Sequence, residues 1–258
     1  MGERLYRSEG IILKRVDVGE ADRIVTILTP HGKLTATARG VRKTASKLSG
    51  HLELLSQCQL QLAVGKQRDV LTQSIVIERF DGLQQQLVRM AAGYYVAELA
   101  DHLTIDDEAA EQVYGLCLQV LHALCIAPTV DMVLHWYTMQ LCDAVGYRPQ
   151  LVDCVVCGNV LDQRAHRWSM VQGGMLCTDC HRSDIQAVTV SLTVFKVLRI
   201  LQRESLAAVI NLALTPDVHD TVYLLLRRWV MRQSERQLRS ARFLDDVRVQ
   251  PGAEDRAV

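Results

Sequence analysis

The chain has 258 residues, 49% of them hydrophobic, which suffices for one large packed domain or two to three small ones. Its 29 basic and 29 acidic residues cancel, so net charge points to no class of partner. No run approaches eighteen uninterrupted apolar residues, so no membrane span is expected, and MGERLYRSEGIILKRV lacks the apolar core of a signal peptide. A soluble cytoplasmic protein is expected, in which paired cysteines more often bind metal or do redox chemistry than form disulfides. The charge is unevenly placed: residues 1–80 hold 13 Lys/Arg against 8 Asp/Glu, so a local anion-binding face remains open.

Residues 4–80 read as strands. GIILKRVDV and DRIVTILT are rich in β-branched residues and separated by a polar, Gly-containing stretch. Pro30, His31 and Gly32 form a turn before Lys33–Ala38. Cys58, Leu60, Leu62 and Val64 alternate with Gln57, Gln59, Gln61 and Ala63, the period of a strand with one buried face. A similar short run surrounds Ile75 and Ile77. About five strands within some 80 residues suit a small barrel.

From Asp81 the period lengthens to that of helices. Leu83, Leu87, Met90, Tyr94 and Ala97 form one stripe, and Val113, Leu116, Val120 and Leu124 another. Val130, Val133, Tyr137, Leu141 and Val145 mark a third helix, ended by Gly146. After the cysteine segment, a helix is expected over Ser191–Arg203. A final long helix starts at Thr215-Pro216-Asp217 and runs to about Phe243. The tail QPGAEDRAV is expected to be disordered.

Cys154, Cys157, Cys177 and Cys180 follow C-x2-C-x19-C-x2-C, a spacing expected of a zinc site. Each Cys-x-x-Cys turn aims two sulfurs at one point, and two turns complete a tetrahedron with metal–sulfur distances of about 2.3 Å. Four thiolates leave no open coordination position, so one structural Zn2+ is expected. CTDCH also matches a haem-attachment signature, which needs export. A thioredoxin-like dithiol would use a single pair. His51-Leu52-Glu53 matches half of a deaminase signature by letter alone. His166 and His181 are possible replacement ligands. Cys58, Cys117, Cys125 and Cys142 lie in apolar periodic runs and read as core residues.

The stretch HGKLTATARGVRKTASKLSGH holds Lys33, Arg39, Arg42, Lys43 and Lys47, with no Asp or Glu from Ile24 to Leu52. After Gly40 it is too polar and small to bury, so an exposed, mobile loop is expected, suited to a phosphate backbone. Arg15, Arg23, Lys66 and Arg68 are secondary candidates. No Phe, Trp or Tyr lies between Tyr6 and Phe80. Base stacking on aromatic rings is thus excluded there, and contact should run through phosphates with strong salt dependence. Arg228, Arg232, Arg236 and Arg239 recur at helical spacing and are a second candidate site, for DNA or an acidic peptide. No P-loop, G-x-S-x-G or dinucleotide turn is present, so no enzyme is expected.

VGEADRIVTILTPHGKLTATARGVRK resembles the N-terminal signature of RecO, the bacterial recombination-mediator family. GYRPQLVDCVVCG followed by GGMLCTDC resembles its central zinc region, and LRSARFL is similar to its C-terminal helix. The resemblance is collinear over about residues 4–245. It implies an α+β multidomain protein: an N-terminal five-stranded OB-type β-barrel, then an all-α domain with a four-cysteine zinc-binding insertion. The expected segments are barrel 1–80, helices 81–150, zinc segment 151–185, helices 186–245 and disordered tail 246–258. The resemblance further implies binding of single- and double-stranded DNA, annealing, and help in loading RecA onto coated strands. Its implied partners are RecR and the acidic C-terminal tail of single-strand-binding protein. No membrane or small-molecule substrate is expected, and the location is cytoplasmic, at the nucleoid. Two rivals remain from the residues alone. One is a zinc-stapled regulator acting only through protein–protein contacts; the other is a zinc hydrolase or redox enzyme.

Overall fold

A computed structural model describes residues 5–44, 46, 48–105, 107–162, 166–234 and 236–249. Five strands open the chain: β1 (Leu5–Val18), β2 (Asp22–Thr29), β3 (Gly32–Ala38), β4 (Gln57–Ala63) and β5 (Asp69–Glu78). They close in the order β1-β2-β3-β5-β4. Only β3 and β5 run parallel, with Ala36 opposite Asp69 and Thr37 opposite Val70. This is the five-stranded Greek-key barrel of the OB type.

Closure depends on β1, which pairs with β4 along its first half and with β2 along its second. It must bend sharply to serve both. Gly10 sits at the bend, where an added Cβ would lie 2.4 Å from Ile27 Cγ2. A register shift between Ile12 and Lys14 completes the turn by a bulge.

Ile12, Val25, Ile27, Leu60, Leu62 and Leu71 fill the interior with Cys58. The expected alternation in β4 holds through Leu62. Val64 is instead 53% exposed and Ala63 buried, because the strand ends at Ala63. The loop after Gly40 also departs from expectation. Val41 and Leu52 are buried in the barrel core, with Leu48 packed against it, so the segment after Gly40 is anchored by apolar residues.

Helices α1 (Leu87–Leu103) and α2 (Ala110–Ile126) follow. In α2 the expected stripe is the buried one. In α1 the buried face is rotated: Ala92, Val96, Leu99 and Leu103 are inside, while Leu87 is 50% exposed. Tyr94 instead meets Phe243 of the last helix, with ring centroids 6.4 Å apart. Next comes α3 (Asp131–Ala144), closed by Gly146 at φ +82. The cysteine segment carries β6 (His166–Ser169), β7 (Gly174–Leu176) and β8 (Val188–Val190) in one sheet of order β7-β6-β8. Then follow α4 (Leu192–Arg203), capped by the Ser191 hydroxyl, and α5 (Leu206–Val209). The final helix, expected to be continuous, is two: α6 (Pro216–Ser234) and α7 (Arg239–Val249). Residues 246–249, assigned above to a disordered tail, are the last turn of α7; residues 250–258 lie outside the described residues.

The chain forms two compact units whose limits cut across the expected segments. One unit holds β1–β5, α1, α2 and, from Leu238 onward, α7; the other runs Ala127–Gln237. In the first, α7 docks on α1 by an uncommon cap. The Glu98 carboxylate accepts the N–H groups of Arg239 (3.1 Å) and Ser240 (2.8 Å) and the Ser240 hydroxyl. In the second, Trp136 donates to the Glu204 carbonyl at 2.8 Å and Trp229 to the Tyr147 carbonyl at 2.9 Å. Among the described residues, no helix is long and apolar enough to cross a membrane.

Candidate nucleic-acid interface and metal centre

The basic residues gather where β1 turns into β2 and where β3 ends. Gly40, at φ +64, reverses the chain after Arg39. Its N–H donates to Asp22 Oδ1 at 2.7 Å, and the Arg42 N–H donates to the Ala21 carbonyl at 3.0 Å. Lys43 N–H closes the turn onto the Gly40 carbonyl at 3.1 Å. With Val41 anchored inside, the side chains of Arg39, Arg42 and Lys43 are left outside. The β4–β5 loop carries exposed Lys66 and Arg68, and Asp69 after it pairs in parallel with Ala36 of β3, so these two cations are not placed with Arg39 at the end of that strand.

Several of these cations have carboxylate partners from outside the acid-free stretch. Arg23 Nε lies 2.7 Å from Asp17 Oδ1, and Arg42 Nε 3.6 Å from Asp17 Oδ2. The Arg23 hydrogen bond, more than any other influence, holds the Asp17 carboxyl below the usual carboxylate range. Arg15 pairs with Glu53 at 2.7 Å. Lys33 pairs with Asp101 of α1 at 3.2 Å and also donates to its carbonyl. Lys33 stands six residues from Arg39, about 20 Å along a strand, so it lies away from the cluster. Among the described residues, Arg39, Lys43, Lys66 and Arg68 make no side-chain ion pair. Lys47 lies outside the described residues. Asp17, Glu53 and Asp101 carry no sequence signal, since they are remote in chain order.

The row expected on the last helix is not carried by a single helix. Arg228 and Arg232 are exposed on α6, which stops at Ser234. Arg236 follows the helix, and Arg239 opens α7 in the other unit. A different basic groove lies along α4. Leu192, Phe195 and Ile200 line it with Lys196, Arg199 and Arg203 and with two acids, Asp162 and Glu204, the latter 4.0 Å from Arg203, around a volume of about 300 Å3. The Arg199 guanidinium stands 5.6 Å over the Phe195 ring. The spacing Lys196, Arg199, Arg203 was readable in the sequence as one helical face.

The four cysteines meet. The sulfurs of Cys154, Cys157, Cys177 and Cys180 all lie within 4.8 Å of one another. Cys157 and Cys177 are 3.8 Å apart, close to the edge of a tetrahedron built on metal–sulfur bonds of about 2.3 Å. Local backbone geometry makes each half. Gly158, at φ +73, returns its N–H to the Cys154 carbonyl at 2.9 Å, and Cys180 N–H reaches the Cys177 carbonyl at 3.2 Å. Burial opposes a thiolate at Cys154. The N–H groups of Cys157, Cys177 and Val156 outweigh it, and the pKa falls to about 6. Its neighbour Cys180, hydrogen-bonded to Cys177, is pushed up to about 12. One cation would relieve that competition for protons. The set therefore fits a closed, structural metal site.

Neither histidine joins it. His166 is buried, with Nε2 2.8 Å from the Asp162 carbonyl oxygen, and His181 Nδ1 contacts the Thr178 carbonyl oxygen. Cys58, Cys117 and Cys142 are buried and Cys125 half-buried. Burial pushes the Cys142 thiol up to about 12.

Residues 1–80 match the family described as recombination protein O N terminal, and residues 84–242 match recombination protein O C terminal. The chain is 44% identical over 248 residues to the DNA repair protein RecO of Roseiflexus sp., spanning 96% of this chain and 88% of that one. It is 32% identical over 245 residues to the RecO of Dehalococcoides mccartyi, covering 95% and 96% of the two chains. The RecO of Symbiobacterium thermophilum is 32% identical over 249 residues, with 95% and 98% covered. Barrel, helices and cysteine cluster agree with these matches along nearly the whole length: the chain belongs to the recombination protein O family of DNA repair proteins.

Proposed function

We propose that the protein is a non-enzymatic repair mediator that binds single- and double-stranded DNA and anneals complementary strands. With RecR, it helps load RecA onto strands coated by single-strand-binding protein. The observation that carries this reading is a set of exposed cations, Arg39, Lys43, Lys66 and Arg68, without carboxylate partners among the described residues, on a barrel lacking aromatic residues between Tyr6 and Phe80. Phosphates can be held there while the bases stay free to pair. The roles of RecR and RecA rest on family membership, as does work at the nucleoid.

One structural Zn2+ on Cys154, Cys157, Cys177 and Cys180 fits the sulfur spacing and leaves no position for substrate. It would cross-link the segment that carries β6–β8. For the acidic tail of single-strand-binding protein, the α4 groove is the better candidate than the arginines of α6. It sets apolar side chains and three cations, against two carboxylates, in one concavity, which suits an acidic peptide with apolar side chains.

The test is annealing of complementary strands precoated with single-strand-binding protein. The protein should accelerate pairing, and Arg39→Glu with Lys43→Glu should abolish the acceleration. A wild-type protein that leaves the coated strands unpaired would overturn the mediator reading.

A further inference from the structure

Asp17 occupies an unusual place on the basic face. It stands directly opposite Arg23 across β1 and β2, and its two oxygens take Arg23 and Arg42 at 2.7 and 3.6 Å. Arg15, two residues back on the same side of β1, adds to the positive field around it. The Asp17 side chain is 47% exposed, so the pair contributes little to stability. The neighbouring Asp22 is committed elsewhere, holding the Gly40 N–H. Asp17 thus ties β1 to Arg23 and Arg42 only through solvent-exposed pairs. It puts an anionic oxygen pair between two guanidinium groups, which is where a backbone phosphate would sit.

We infer that Asp17 is an affinity-setting residue, an internal competitor that a strand must displace from Arg23 and Arg42. The inference rests on the phosphate-binding reading above. Arg39 and Lys43 have no carboxylate to leave, so they make the first hold. Arg23 and Arg42 join only by exchanging one anion for another, which adds contact without adding a full charge. Such a face grips a strand and still lets it go once pairing is complete.

The experiment is a titration of the full-length protein with oligothymidylate across a tenfold range of salt. Asp17→Asn is compared with wild type and with Asp220→Asn, the same charge change in the other unit. Each additional phosphate neutralised steepens the dependence of log K on log salt by about 0.7 for a single strand. Asp17→Asn should steepen by about that amount, so its advantage over wild type widens about fivefold per tenfold fall in salt. Asp220→Asn should follow wild type. A slope for Asp17→Asn that is unchanged or shallower, while wild type binds with salt dependence, overturns the inference; so does equal steepening in Asp220→Asn. Wild-type protein without salt-dependent binding overturns the phosphate-binding reading itself.

Discussion

Replacing Cys154 by serine separates a structural metal from a functional one. Cys154 is 2% exposed, the only one of the four cysteines that is buried, and its sulfur accepts the Cys177 N–H at 3.4 Å. A serine hydroxyl is a far weaker zinc ligand. Structural zinc contributes about 10–16 kcal/mol in small metal-dependent domains; a quarter share is about 2.5–4 kcal/mol. That corresponds to metal binding about 100- to 1,000-fold weaker. The strands it supports have only four, three and three residues, too short to stand alone in water. Trp168 of β6 is fully buried, with its ring 5.8 Å from that of Trp229 on α6, so their near-ultraviolet circular dichroism reports whether the segment is packed. Metal affinity by chelator competition, the dichroism signal and the melting temperature should all fall together. DNA affinity should change little, because the barrel belongs to the other unit. Metal held as tightly as in wild type would refute the ligand assignment. Loss of DNA binding with packing and melting intact would refute the structural role.

Lys33→Ala and Arg39→Ala should behave differently despite their shared basic stretch. The first leaves the salt slope of DNA binding unchanged and costs about 1 kcal/mol of stability through the lost Asp101 contact; the second lowers the slope by about 0.7. A salt series with chemical denaturation on each variant checks both. Glu98→Ala removes the acceptor for the first N–H groups of α7 and should cost about 2 kcal/mol, with faster hydrogen exchange along that helix; Glu98→Gln should recover part of it. Lys196→Glu with Arg199→Glu should weaken binding of an acidic, apolar-ended peptide about tenfold or more, a loss of about 1.4 kcal/mol, whereas Arg228→Ala with Arg232→Ala should not. Fluorescence anisotropy of the labelled peptide distinguishes the two surfaces.

Local features were legible in the sequence because local physics sets them. β2 occupies DRIVTILT, as its β-branched run predicts, and the α2 stripe is the buried one. Cysteine spacing located the sulfur cluster because a Cys-x-x-Cys turn converges within one backbone reversal. What stayed hidden depends on residues brought together from far apart. The acid-free stretch from Ile24 to Leu52 suggested unpaired cations, yet Asp17, Glu53 and Asp101 reach Arg23, Arg42, Arg15 and Lys33 across strand and helix. The polar segment after Gly40 hid Val41, set among small polar and basic residues, which is buried in the barrel core. The break between α6 and α7 follows no proline or glycine. It comes from Glu98, a residue more than a hundred positions earlier, which offers the second helix its start.

That same cap makes chain order and fold order differ. The unit that carries the barrel is left unfinished at Ile126 and resumed at Leu238, after the other unit has been made. On the ribosome, α1 must wait with Tyr94 and Glu98 unpartnered until more than a hundred further residues have emerged. A truncation meant to trim the end of the protein by removing α7 would therefore strike the barrel-bearing unit first. The unit that holds the four cysteines, nearer the cut in sequence, keeps all of its own elements.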